Sequence, residues 1–131
     1  MAGKIIQYQQ TKISTVVSGT ASFDPTVTSA GRQGSELITV SITPSATNSF
    51  ILVRFMTPYA GETSNHSNQV GFAIYRNNEQ TSIQTMHWPH RYVESTLPSW
   101  AGSSNYSFPV DLQDVDQPIT TSPIIYRVYG G

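Results

Sequence analysis

"ELITVSITPSATNSFILVRFMTPY", residues Glu36–Tyr59, holds two strands and the turn between them. In Glu36–Thr43 the apolar side chains alternate. Ile38, Val40 and Ile42 share one face, and Thr39 and Ser41 take the other. A period of two is the pattern of a strand with one face buried. "PSATNS" (Pro44–Ser49) then gathers the residues that favour turns. Phe50–Tyr59 resumes with apolar residues on both faces: Ile51, Val53 and Phe55 on one, Phe50, Leu52 and Met56 on the other, the latter interrupted by Arg54. A strand in a two-sheet sandwich normally buries one face and wets the other. The second apolar face of this strand therefore has to meet something.

The same alternation recurs outward in both directions. "KIIQYQQ" (Lys4–Gln10) and "KISTVVSG" (Lys12–Gly19) read as strands, followed by a loop, Thr20–Ser35, broken by Pro25, Gly31 and Gly34. Beyond Tyr59, a polar loop (Ala60–Asn68) leads into "QVGFAIYR" (Gln69–Arg76), with Val70, Phe72 and Ile74 on one face. Asn77-Asn78 suits a tight hairpin turn, with Glu79–Met86 as the returning strand. A loop at Glu94–Asn105 precedes Tyr106–Gln113, where Pro109 implies an edge strand or a bulge. Asp114–Ser122 reads as a turn. Pro123–Tyr129 closes the chain with Ile124, Tyr126 and Val128 opposite Ile125, Arg127 and Tyr129.

About eight short strands with turn signals between them indicate an all-β fold in a single domain over residues 1–131, an antiparallel β-sandwich or jelly roll. The two strands with apolar residues on both sides mark a candidate subunit interface: Phe50, Leu52, Arg54, Met56, Ile125, Arg127 and Tyr129. The alternative is that loops cover the second face.

Composition narrows the function classes. Only 11% of the 131 residues are charged and the net charge is -1. No basic cluster exists, so nucleic-acid binding and a polybasic membrane anchor both lack their electrostatic footprint. Cysteine is absent, which removes disulfides and thiolate metal sites. No segment is apolar and long enough to read as a signal peptide or membrane span, and synthesis in a cytoplasm is expected.

"MHWPHRY" (Met86–Tyr92) is the densest run of reactive side chains. His87 and His90 flank Pro89, which disfavours helix before it, and zinc needs three or four ligands. His66 lies in another loop and Glu94 is the nearest acid. Asp111, Asp114 and Asp116 invite comparison with a glycosidase carboxylate pair. Asp in a proline-containing turn more often bonds its own backbone. No G-x-S-x-G, Walker loop or EF-hand pattern occurs. Catalysis, metal and cofactor are therefore not expected. His87, Trp88, His90, Arg91, Tyr92 and Trp100 form instead a candidate ligand or partner surface, able to stack on sugars or anchor a protein. Trp88 and Tyr92 plugging one end of the sandwich is the plainer alternative.

"LITVSITPSATNSFILV" (Leu37–Val53) resembles the strand–turn–strand signature of small domains in bacteriophage virion proteins, often labelled tail-fibre or tail proteins. "LQDVDQPITTSPIIYRVY" (Leu112–Tyr129) resembles that family's closing turn and strand. "GKIIQYQQTKIST" (Gly3–Thr15) is similar to its start, and "AIYRNNEQT" (Ala73–Thr81) to its hairpin. Departures are Phe50 where lysine is common, Asn77-Asn78 in place of a glycine turn, and a longer Thr20–Ser35 loop. The resemblance implies a trimeric jelly roll similar to C1q- and TNF-like heads, non-enzymatic and built into a virion. It carries two expectations. The first is a homotrimeric capsid decoration or cement protein contacting the major capsid protein, preferred because the family-like region runs from Gly3 to the C-terminus without a stalk or anchor. The alternative is a tail-fibre or tail-tip adhesin that binds host surface polysaccharide. A free carbohydrate-binding module ranks below both, and a small polysaccharide hydrolase last.

Overall fold

The computed structural model describes residues 6–15, 17, 34–62, 69–79, 81–89 and 106–131. They form six strands: β1 (Ser35–Ile42), β2 (Ile51–Glu62), β3 (Gln69–Arg76), β4 (Gln84–Pro89), β5 (Tyr106–Asp116) and β6 (Ile124–Gly130). All pairings are antiparallel. One sheet has four strands in the order β1-β6-β3-β4, and the other pairs β2 with β5. The pairs are nested along the chain: first with last, second with fifth, third with fourth.

The two sheets share one core. Ile51, Val53, Val110 and Leu112 from the two-stranded sheet meet Phe72, Ile74, Ile124, Tyr126 and Val128 from the four-stranded one. Phe55 and Phe72 stack across the gap with ring centroids 5.5 Å apart. Complete burial of a side chain such as Ile74 or Ile124 stabilises the fold by roughly 1.5–3 kcal/mol. The packing settles which of the alternating faces is inward: Ile51, Val53 and Phe55 in β2, and Ile124, Tyr126 and Val128 in β6. In β1 the register slips between Glu36 and Ile38. A bulge lets neighbouring residues face the same side, and Leu37 and Ile38 both pack on the core.

Turn chemistry places the ends. Ser49 N donates to Ala46 O at 3.1 Å, closing the turn between β1 and β2. Glu79 N donates to Arg76 O at 3.0 Å around Asn77-Asn78, with Asn77 left-handed at φ 52°. Asn77 also serves β6. Its backbone N donates to Ile125 O at 2.7 Å, and its side-chain Oδ1 accepts from Ile125 N at 2.9 Å. The amide group stands where the next backbone carbonyl of a strand would be. Gly34, at φ 80°, enters β1 so close to Gly130 that a Cβ would lie 2.6 Å from the Gly130 carbonyl oxygen.

Three expectations need correction. Residues 6–15 and 17 belong to no strand, so the described strands number six where about eight were expected. Ile6 and Tyr8 are each 71% exposed: the strand pattern is present, but no described strand pairs with it. The returning strand β4 begins at Gln84, not Glu79, because residues 77–79 are spent on the turn and on β6. β5 runs on to Asp116, past the expected turn at Asp114, and β2 runs on to Glu62, past the expected loop start at Ala60. Pro109 behaves as expected. β5 pairs only with β2 among the described residues, and the register slips between Thr57 and Ala60, opposite Pro109. Proline has no N–H to give the ladder there. The loop spans 20–33, 63–68 and 94–105 lie outside the described residues.

Candidate interaction surface

In β2 the residues between the core positions point away from the other sheet. Phe50, just before the strand, and Leu52 and Met56 within it are each more than 60% exposed. Leu52 sits opposite Val115 of β5, which is also exposed. Arg54 lies opposite Gln113 and Met56 opposite Asp111. The outer face of the two-stranded sheet is thus an apolar strip with a single ion pair at its centre. Beyond its end, Ile119 is 72% exposed with φ 52°.

The ion pair is Arg54 with Asp111. Arg54 Nε donates to Asp111 Oδ1 at 2.7 Å, and Nη2 donates to Oδ2, a two-pronged contact diagonal across the strands. That hydrogen bond holds the Asp111 carboxyl below its ordinary value and raises Arg54 above its own. Both groups therefore stay charged at neutral pH. Both side chains are nearly half exposed, so water screens the pair and it adds little to stability. Its importance is chemical. Anything covering the strip must satisfy two charged groups or leave them neutralised by each other.

The other predicted interface residues are elsewhere. Ile125, Arg127 and Tyr129 lie on the outer face of the four-stranded sheet, on the far side of the core from β2. The structure does not bring the two stripes together, and the β6 stripe is only half-exposed. Its polar groups are engaged within the chain. Arg127 Nη1 donates to Glu36 Oε2 at 2.8 Å and its Nε to Asn77 O at 3.1 Å. Tyr129 OH donates to the same Glu36 oxygen at 3.2 Å, and its ring meets Tyr75 edge-on with centroids 5.4 Å apart. Arg54 and Arg127 thus sit on opposite outer faces of the sandwich.

The carboxylates also divide. Asp111 is on the outer face of β5, while Asp114 and Asp116 alternate to the inner one. Asp114 Oδ1 accepts from Val115 N at 2.7 Å, the local backbone bond expected of it. Asp116 does something the sequence did not announce. It accepts from Arg76 Nη1 at 3.0 and 3.1 Å and from Tyr126 OH at 2.7 Å. Arg76 and Tyr126 come from β3 and β6, so this cluster ties the end of one sheet to the other. Burial, and next the bond to Asp116, push the Tyr126 phenol well above its usual value of 10.0. Aspartate was read as a turn former there, and only the pairing of β5 with β2 shows it to be a strand residue facing inward.

Of the aromatic segment, the backbones of His87 and Trp88 lie in β4 opposite Gly71 and Val70. Their side chains, and His66, His90, Arg91, Tyr92, Glu94 and Trp100 entirely, lie outside the described residues. Among the described residues no group of three His, Cys, Asp or Glu is placed to hold a metal ion. No described helix is long and apolar enough to cross a membrane. Compared with protein-family models, curated proteins and solved structures, the chain matches none.

Proposed function

We propose that this chain is a non-enzymatic structural protein of a bacteriophage virion, a homotrimeric module on the particle surface that decorates or cements the capsid. It is made in the host cytoplasm and assembled from there. The observation that carries this reading is the exposed outer face of β2 and β5. Four apolar side chains are exposed there, Phe50, Leu52 and Val115 to one side of the Arg54–Asp111 pair and Met56 to the other. Contiguous apolar patches on soluble chains mark contact sites. The nested pairing adds support. Among the described strands first meets last, second meets fifth and third meets fourth, an order that a rolled-up hairpin would give and that supports a jelly-roll reading. The sequence resemblance to phage virion domains points the same way. The activity is mechanical: apolar area removed from water where copies meet each other and the shell, linking neighbours by mass action.

The test is the position and stoichiometry of this chain on intact particles, by labelling and imaging. Trimers in many copies over the head are the expected result. A few copies at the tail tip would replace decoration with the adhesin reading and turn attention to host glycans and residues 87–92. Absence from particles would overturn both and leave the free carbohydrate-binding module.

A further inference from the structure

The chain carries two exposed features that fit each other. One is the β2/β5 outer face. The other is the segment Ile6–Thr15, every residue of which is exposed. Its sequence, "IQYQQTKIST", has strand-forming alternation at Ile6 and Tyr8. Yet it joins no sheet, and no backbone hydrogen bond links it to the described strands. Its one recorded side-chain bond is internal, Tyr8 OH to Gln10 Oε1 at 3.1 Å. Apolar side chains left in water on both partners are what packing one against the other removes.

We propose that Ile6–Thr15 of one copy lies on the β2/β5 outer face of the next copy, so that each subunit gives one arm and receives one. Length permits it. Ten extended residues span roughly 33 Å, more than the stretch from Phe50 to Met56. Chemistry permits it too. The face is apolar around a mutually neutralised Arg54–Asp111 pair, so a strongly charged cover would be rejected. The arm offers Ile6 and Tyr8 with Gln7, Gln9 and Gln10, neutral amides that both donate and accept, and Lys12 is its one charge. The arm does not cover its own chain's face, since its residues are exposed in the single chain. A second copy is therefore the occupant. Giving and receiving through different surfaces is a head-to-tail contact, which closes into a ring when the rotation allows. This rests on the homo-oligomer reading above and specifies how the oligomer is held.

The experiment uses full-length variants at positions exposed in the single chain, so folding is not at stake. The arm variant is Ile6→Asp with Tyr8→Asp, and the face variant is Leu52→Asp. Mass in solution is read for each alone and for an equal mixture. The expected result is an oligomer for the unaltered chain, a monomer for each variant, and a two-chain species on mixing, because one intact arm then meets one intact face. An arm variant that stays oligomeric overturns arm exchange and leaves the homo-oligomer reading standing. A mixture that stays monomeric while both variants are monomers also overturns it, as a two-fold face-to-face contact gives no rescue. An unaltered chain that is itself monomeric overturns both.

Discussion

Asn77 and Ile119 share a backbone φ of 52°, and their chemistry suits it very differently. Asparagine tolerates left-handed backbone and uses it here to bridge β3 and β6 through its side-chain oxygen. Asn77→Ala should lose both and cost about 2 kcal/mol, with Asn77→Gly nearer 1, since glycine keeps the angle and loses only the bond. Urea denaturation that ranks glycine below alanine in stability would contradict this account. A β-branched residue at positive φ is an outlier, and Ile119 has that angle while its side chain is exposed. Ile119→Asn should raise the stability of the isolated chain by up to about 1 kcal/mol. Tyr126 gives a pH signature. Its phenol is held neutral in the fold, so its contribution is complete below the ordinary phenol value of 10.0 and is lost as pH rises above it. Of the seven tyrosines, at least one should fail to ionise until the protein unfolds in base. Tyr126→Phe should remove that delayed step, at a cost near neutrality of about 1–2 kcal/mol.

At the scale of the strand, β2 offers the sharpest contrast between neighbours. Val53→Asp buries an unpaired charge in the shared core and should abolish folding, whereas Leu52→Asp should change the stability of the single chain by less than about 0.5 kcal/mol. Circular dichroism melts of the two side by side decide it. The sequence marked the two alternating faces of β1, β2, β3 and β6 and showed that both faces of β2 are apolar. It did not say which of those two β2 faces is the core; the packing does. What the sequence could not separate was propensity from partnership. Lys4–Gln10 alternates as well as Glu36–Thr43 does, but β-propensity records only fitness for a half-buried pleated surface. Whether such a surface exists within the chain is a property of the fold. The same limit applies to the β6 stripe: that Arg127 and Tyr129 bond Glu36, distant in sequence, is visible only in the fold. Asp116 was missed because its partners, Arg76 and Tyr126, are recruited across the gap between sheets, and no local spacing encodes that.

Across the whole molecule, the nested pairing has a consequence for how the protein comes into being. β6 is the last strand made, yet it lies inside the four-stranded sheet, between β1 and β3, and supplies Ile124, Tyr126 and Val128 to the core. During synthesis β1 waits for a neighbour that is made only after all the other described strands. The hairpin of β3 and β4 can close early because its ends are near each other, but the outermost pair must bring the most distant parts of the chain together, and such contacts form slowly. A chain stopped at Pro123 should therefore have no cooperative melt and should aggregate, and ribosome-bound chains of that length should remain protease-sensitive until the final strand is free. Any contact that needs the finished sandwich is thereby postponed until β6 has been made, so an early surface and a late one differ in when they become able to bind.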